Sequence, residues 1–483
     1  MRSRAAMNSG SLFISAQIRF SRGILISTIS FNWPGRAEKT RHLSAKNAAS
    51  STEWVINKMV FSFDYIKTTF ASSSSNKSEW QIVGEMVDKF AADFNARQSE
   101  YKVNAVYKGN YTETMTSAIA AFRAKKQPHI VQVFEVGTAT MIAAEGKGAI
   151  YPVYKLMSDS GESFDQSVYL PAVISYYTTT DGKLLSLPFN SSTPVLWYNK
   201  TKLEELGIEV PITWEELEDA AQKAKDAGVS APLSFGWQSW SVIENYSTWH
   251  NIPIGTQENG FGGLSTSLLI NNGPVVNNIQ RIANMGKKGL FKYGGRRGDS
   301  RGMFVNGECI FWINSSAYYG GFKKDIKNFE FSQTMLPLDT RVSGKRQNSI
   351  IGGATLWVLR GHKKEEYKGV AKFFKFLSEP EQQAYWHQNT GYVPITTAAY
   401  KLSQKQGFYK TNPGTDTAIK QLSLNIPTPA SKGLRFGNFV QIRDAINEEL
   451  EAIWSGQKTA RQGLDAAVER GNKLLRRFEA ANR

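Results

Sequence analysis

Short glycine-punctuated turns of this chain collect the side chains best suited to gripping a polar molecule. They are Tyr107-Lys-Gly-Asn-Tyr111, Val133-Phe-Glu-Val-Gly137, Pro188-Phe-Asn-Ser-Ser-Thr-Pro194, Gly236-Trp-Gln-Ser-Trp240, Asn314-Ser-Ser316, Gly352-Gly353, Thr390-Gly-Tyr-Val-Pro394 and Lys432-Gly-Leu-Arg-Phe-Gly-Asn438. Hydroxyls, indoles and a guanidinium together suit a polar organic ligand with an anionic group. Any one of these segments alone reads as an ordinary turn, because Gly, Ser and Asn are the usual turn residues. Catalytic signatures are missing. The chain has no Gly-x-Ser-x-Gly elbow, no His-Glu-x-x-His and no phosphate loop of the Gly-x-x-x-x-Gly-Lys-Ser/Thr kind. No carboxylate pair stands out for glycoside hydrolysis. One cysteine, Cys309, excludes a disulfide framework and a multi-cysteine metal site, and five scattered histidines suggest no metal cluster.

The elements that must position these turns follow from periodicity. Val83, Met86, Val87, Phe90 and Phe94 form one face of a helix. Residues 101–107 alternate like a strand, residues 112–126 read as a helix, and 129–134 as a buried strand. Strands are expected at 195–198, from 307 to 313 and at 356–359. Thr213 and Glu216 form a capping box that opens a helix to about residue 225. A helix at 366–377 is expected to end at the Glu379-Pro380 turn, and 438–480 reads as helical. Strands alternating with helices predict an α/β chain with a largely parallel sheet. In such sheets, ligands bind beyond the carboxyl ends of the strands, where many of the turns fall.

The chain has 483 residues, long enough for two or three domains, with an ordinary globular mixture of 41% hydrophobic and 21% charged residues. No apolar run approaches the length of a membrane-spanning helix. The net charge is +16. The first fifty residues hold eight basic residues and one acid, Glu38, so much of the excess is local to the head. Elsewhere basic and acidic residues are interspersed, as on solvated faces. In the head, Arg2, Arg4, Arg19 and Arg22 precede a short apolar run at 23–31, the layout of an export signal. Serines interrupt that run, so residues 1–54 are read as an atypical basic head, a defective signal or a miscalled start. Ser72 to Ser75 read as linker.

Beyond the turns, the chain contains Gln132-Val-Phe-Glu-Val-Gly-Thr-Ala-Thr-Met141, Ile350-Ile-Gly-Gly-Ala354, Trp386-His-Gln-Asn-Thr-Gly-Tyr392, Gln441-Ile-Arg443 and Ala467-Val-Glu-Arg-Gly-Asn472. With these runs it resembles the periplasmic sn-glycerol-3-phosphate-binding proteins of bacterial ABC importers, within extracellular solute-binding protein family 1, from about residue 83 to 477. The resemblance implies a periplasmic-binding-protein-like fold: two α/β lobes joined by a hinge of crossing strands. It places 55–191 with 353–392 in lobe one and 192–352 with 393–483 in lobe two. The ligand shell it implies is Tyr111, Glu135, Ser192, Ser315, Gly353, Tyr392 and Arg443. Arg443 would fork onto phosphate, and Glu135 would accept from glycerol hydroxyls. Trp214, Trp237 and Trp240 form a candidate aromatic wall for the trimethylammonium head of glycerophosphocholine. The resemblance further implies a periplasmic monomer without catalytic residues, cofactor, metal or nucleic-acid partner, which delivers its ligand to the permease subunits and cytoplasmic ATPase of an ABC transporter. A phosphodiesterase and a maltodextrin-type sugar-binding protein are the competing readings. One departure stands out. The family's Trp-His pair after the first strand is absent from residues 59–71, so that strand is expected to be replaced or missing.

Overall fold

A computed structural model describes residues 14–21, 24–31, 59–65 and 77–483 of the protein, and the chain divides into two compact units, Met1–Val55 and Ile56–Arg483. In the first unit, β1 (Ile14–Ser21) and β2 (Ile24–Phe31) pair antiparallel, from Ile14 opposite Phe31 to Ser21 opposite Ile24. Most of the apolar run at 23–31 is thus strand, in keeping with its β-branched Ile24, Ile26, Thr28 and Ile29. The Ser72 to Ser75 linker lies outside the described residues.

The second unit is built on two sheets. Its strands are β3 (Met59–Tyr65), β4 (Tyr101–Tyr107), β5 (Ile130–Phe134), β6 (Leu187–Ser192), β7 (Pro194–Asn199), β8 (Leu233–Phe235), β9 (Phe311–Ser315), β10 (Phe331–Thr334) and β11 (Gly352–Val358). One sheet has the order β4-β3-β5-β11-β6 and the other β10-β7-β9-β8. The expected largely parallel sheet is corrected here. Among the described strands, only β3 with β4, β3 with β5 and β8 with β9 run parallel. The pairs β5 with β11, β11 with β6, β7 with β9 and β7 with β10 run antiparallel. In the first sheet the reason is the path of β11, which starts beside the ends of β5 and β6 and runs back between them.

The first strand is present after all. β3 pairs with β4 along its whole length, from Met59 opposite Tyr101 to Tyr65 opposite Tyr107. Phe63 is 1% exposed and meets Phe189 and Phe373 edge-on or tilted at 6.3 and 6.1 Å. Residues 59–65 thus supply a strand between β4 and β5 without the Trp-His pair. The helix Lys77–Arg97 buries Val83, Met86, Val87, Phe90 and Phe94, the face its periodicity predicts. Phe94 packs on Phe373 and Phe376 of the helix Lys364–Leu377 at 5.2 and 5.7 Å. The capping box at Thr213 and Glu216 closes in both directions at 3.1 Å and opens the helix Trp214–Asp226. Pro380 does not merely end a helix. It occupies the first turn of the next one, Pro380–Thr390, where its missing N–H costs nothing.

β6 and β7 form one extended run that leaves the first sheet at Ser192 and joins the second at Pro194. Thr193 between them is fully buried and donates to Ser349 Oγ at 2.7 Å, beside the returning chain. The Val393 amide donates to the Ser191 carbonyl at 2.8 Å. The chain therefore passes side by side with itself between the sheets. Among the described residues, no helix is long and apolar enough to cross a membrane. Cys309 is fully buried and burial pushes its thiol up, which suits a small core residue without reactivity.

Candidate functional site

The strand ends converge on one cavity. β5 delivers Phe134 and Glu135, β6 ends at Ser192, β9 ends at Ser315, and β11 begins with Gly352 and Gly353. Tyr111 opens the helix Tyr111–Arg123 behind an Asn110–Glu113 capping box, Tyr392 follows the helix Pro380–Thr390, and Arg443 projects from the helix Phe439–Trp454. All seven expected shell residues line this cavity, although 332 positions separate Tyr111 from Arg443 in the chain.

The polar groups are already organised. Ser315 donates its hydroxyl to Ser192 Oγ at 2.8 Å, linking the ends of the two sheets. Tyr111 Oη accepts from Asn190 Nδ2 at 2.9 Å, and Asn190 is held in turn by Gln132 Nε2 at 2.7 Å. Tyr111 stacks on Phe134 with centroids 5.1 Å apart, and Tyr392 stacks on Trp386 at 5.7 Å. Burial pushes the Tyr111 hydroxyl well above its ordinary pKa, with Tyr392 and Glu135 adding to the effect, so it remains a neutral donor. Gly353 has φ +108° and directs its amide to Glu135 Oε2 at 3.2 Å.

Arg443 and Glu135 are not held apart as the two ends of a ligand bed. Arg443 Nη1 donates to Glu135 Oε1 at 2.7 Å, while Nε and Nη2 donate to both oxygens of Glu244 at 2.8 and 2.7 Å. All three side chains are buried. Burial raises the Glu135 carboxyl, against the pull of Arg443. For Arg443, burial alone would lower the pKa, but Glu244 and Glu135 outweigh it and push it above the ordinary value. Glu244 was missed by the sequence reading. A signal existed: it is the sole charged residue between Asp226 and Glu258, in an aromatic-rich stretch. A lone acid in such a stretch must be buried with a partner.

Of the three tryptophans, Trp237 and Trp240 line the cavity and Trp214 does not. Trp214 is 3% exposed, set against Phe235 at 6.4 Å and beneath the Arg281 guanidinium at 5.7 Å, as a core residue. The wall therefore consists of the other two. Trp240 lies in a π-helical turn, Ser239–Glu244, and donates Nε1 to the Ile351 carbonyl at 3.4 Å. Trp237 adopts φ 49°, a left-handed conformation that costs about 1–3 kcal/mol for a bulky residue. Arg297 covers it at 5.7 Å. Phe134, Trp237, Trp240 and Arg443 also face an adjoining outer chamber lined by Arg297 and Asp444.

His129, His362 and Glu366 bring three metal-ligand atoms within 4.8 Å of one another. His129 Nδ1 accepts the Ser62 amide at 3.1 Å, so the neutral ring carries its proton on Nε2, which faces Glu366 at 3.5 Å. That nitrogen has no lone pair for a metal in this tautomer. His129 precedes β5, whereas Glu135 follows it, and His362 and Glu366 follow β11, which begins at the cavity, so the group stands a strand's length from the cavity.

His387 supports Tyr392 from behind. Its Nδ1 lies 2.7 Å from the Tyr392 carbonyl and its Nε2 2.9 Å from the Tyr409 hydroxyl, which fixes a neutral ring with the proton on Nδ1. Burial lowers its pKa from 6.5 to about 4. The unfolded chain therefore binds more protons between those values, and stability falls as pH drops through that window. His387 alone is expected to withdraw about 3 kcal/mol by pH 4, and His129, lowered to about 4 mainly by burial, acts in the same direction. Urea unfolding at pH 7 and pH 4.5 checks this. The idea fails if His387→Gln has the same pH dependence as the unaltered protein.

The two-sheet fold and interior cleft define a protein that encloses a small solute, and the chain belongs to the family of bacterial extracellular solute-binding proteins, whose model matches residues 86–417. It is 47% identical over 405 residues to the sn-glycerol-3-phosphate-binding periplasmic protein UgpB of Pectobacterium atrosepticum, covering 83% of this chain and 90% of that protein. The protein of the same description from Yersinia pestis is 48% identical, covering 83% and 91%. Among solved structures, UgpB from Mycobacterium tuberculosis in complex with glycerophosphocholine is similar with a TM-score of 0.68 and 18% identity, covering 86% of this chain and 98% of that one. Maltose-bound MalE3 of T. maritima is also similar, with a TM-score of 0.66 at 18% identity, covering 86% and 100%.

Proposed function

We propose that this protein is the substrate-binding component of an ABC importer, which captures sn-glycerol-3-phosphate in the periplasm and delivers it to the membrane permease and its ATPase. The observation that carries this reading is the convergence of Arg443, the Ser192–Ser315 hydroxyl pair, Tyr111, Tyr392 and the Gly353 amide on one cavity, in a chain close to half identical to sn-glycerol-3-phosphate-binding proteins. Arg443 supplies its two remaining charge-assisted N–H bonds for phosphate, and the hydroxyls and amide complete the shell. Trp237 and Trp240 at the junction with the outer chamber offer a place for the head group of a glycerophosphodiester such as glycerophosphocholine. Lobe one comprises 55–191 and 353–392, lobe two 192–352 and 393–483, and ligand draws them together about the crossing segments. The protein acts as a monomer and does no chemistry on what it binds.

Titration calorimetry of the full chain with glycerol-3-phosphate and with glycerophosphocholine tests the reading. Saturable binding at one site is expected, with the ligand recovered unchanged. Folded protein that binds neither compound, or release of free glycerol-3-phosphate from glycerophosphocholine on addition of a divalent metal, would overturn it.

A further inference from the structure

The Arg443 guanidinium enters the cavity with much of its charge already answered. Glu244 grips the Nε–Nη2 edge with both oxygens and Glu135 takes a proton of Nη1. Of the five N–H bonds a guanidinium carries, two remain for a ligand. The three buried side chains are one guanidinium and two carboxyl groups. Glu244 cannot easily leave. It is 1% exposed, sits at the end of the π-helical turn, and its Oε1 also accepts from Ser239 Oγ at 3.1 Å.

We propose that Glu244 is a specificity residue that restricts the cavity to phosphoryl groups of single negative charge: phosphodiesters, and phosphate monoesters in their monoanionic form. The inference rests on the phosphate-ligand reading above and deepens it. A dianion at Arg443 would meet a buried surplus of negative charge, where like charges repel far more strongly than in water. A monoanionic monoester keeps one P–OH proton, which it can donate to Glu135 while its bare oxygens take the two remaining Arg443 N–H bonds. A diester carries one charge throughout.

The charged and titratable groups around Arg443 come from several elements. Glu135 follows β5, Tyr111 opens its helix, Tyr176 lies in the turn Ser175–Tyr177, and Tyr318 and Tyr392 line the far wall. Glu113, Arg296, Arg297, Asp299 and Asp444 face the outer chamber. Among the described residues, no histidine lines either chamber. Burial holds the Tyr111 and Tyr176 hydroxyls well above their ordinary values. Burial also raises Glu135, opposed by Arg443, and Asp444, opposed by Arg296 and Arg297. Titration of Asp444 would affect monoester and diester binding together. The group that changes charge in the monoester alone is its phosphate, with a second pKa near 6.

The experiment is calorimetric titration of the full chain between pH 6 and 8 with glycerol-3-phosphate and with its methyl ester, a diester. The monoanionic fraction of the monoester falls from about one half at pH 6 to about one hundredth at pH 8. Its dissociation constant is therefore expected to weaken by about 50-fold, while that of the methyl ester changes by less than about threefold. Glu244→Gln is expected to flatten the monoester dependence to less than about fivefold and to strengthen monoester binding at pH 8. Monoester and diester curves that run parallel would overturn the proposal, as would a folded Glu244→Gln protein with the full 50-fold dependence. The unaltered protein alone decides the charge preference, so the test survives a variant that does not fold. If the folded protein binds neither compound at any pH, the functional reading itself is wrong, and the inference falls with it.

Discussion

Arg443→Met should abolish measurable glycerol-3-phosphate binding and lower stability by about 3–5 kcal/mol. Both effects follow from one rearrangement of charge. The guanidinium is the cationic donor of the cavity and also the common partner of Glu135 and Glu244. Without it, two carboxylates face each other in a buried pocket, and each must be protonated or find water. Arg443→Lys keeps the charge but not the planar fork, and one ammonium cannot reproduce three hydrogen bonds in that geometry. Its binding should fall between the two. Pairing Arg443→Met with Glu244→Gln should return part of the lost stability, because one stranded charge disappears. Urea unfolding of the three variants, with calorimetry on those that fold, reads both quantities. Binding within threefold of the unaltered protein in folded Arg443→Met would remove the argument for a phosphate site and favour a sugar cleft.

The second large effect is expected at Gly353. A Cβ at this position would lie 1.8 Å from the Asn190 carbonyl oxygen, which belongs to the backbone of β6. The φ of +108° is also one that side-chain-bearing residues avoid. Gly353→Ala must therefore either break the local pairing of β11 with β6 or rotate the amide away from Glu135. A loss of about 3 kcal/mol or more is expected, at the upper end for single substitutions, with loss of ligand binding in whatever protein folds. Gly352→Ala meets a side chain instead, with its Cβ 2.5 Å from Trp240, so it should be milder and should displace the indole. A Gly353→Ala protein with unchanged melting behaviour would mean that the close approach of these strands is unnecessary.

Local patterns carried much of the fold. The helix face from Val83 to Phe94 and the capping box at Thr213 are visible because helix periodicity and end chemistry act within a few residues. What failed was non-local. Nothing within the apolar run at 356–359 records that β11 returns between β5 and β6 in the opposite sense, so the sheet was expected to be parallel. Pro380 was read as a stop because Pro ends helices as readily as it begins them. At the site, Arg443 and Glu135 could be assigned to one ligand shell only through the family resemblance, since no spacing rule joins positions on different elements. The resemblance did not extend to their pairing with each other through Glu244. Trp214 and Trp237 look equivalent in sequence, and only the tertiary packing sends one to the core and the other to the cavity.

The position of β11 also sets an order of events during synthesis. Gly353 lies 218 residues beyond Glu135, which its amide contacts. Until the ribosome has passed β11, the first sheet lacks its fourth strand, and β5 and β6 each present an unpaired edge. At a translation rate of about 5–20 residues per second, that interval lasts roughly 10–45 s. Half of the binding cleft is thus built from segments made early that cannot be joined until late. Residues up to β6 emerge from the ribosome before this sheet can close, and throughout that time they need protection from edge-to-edge association.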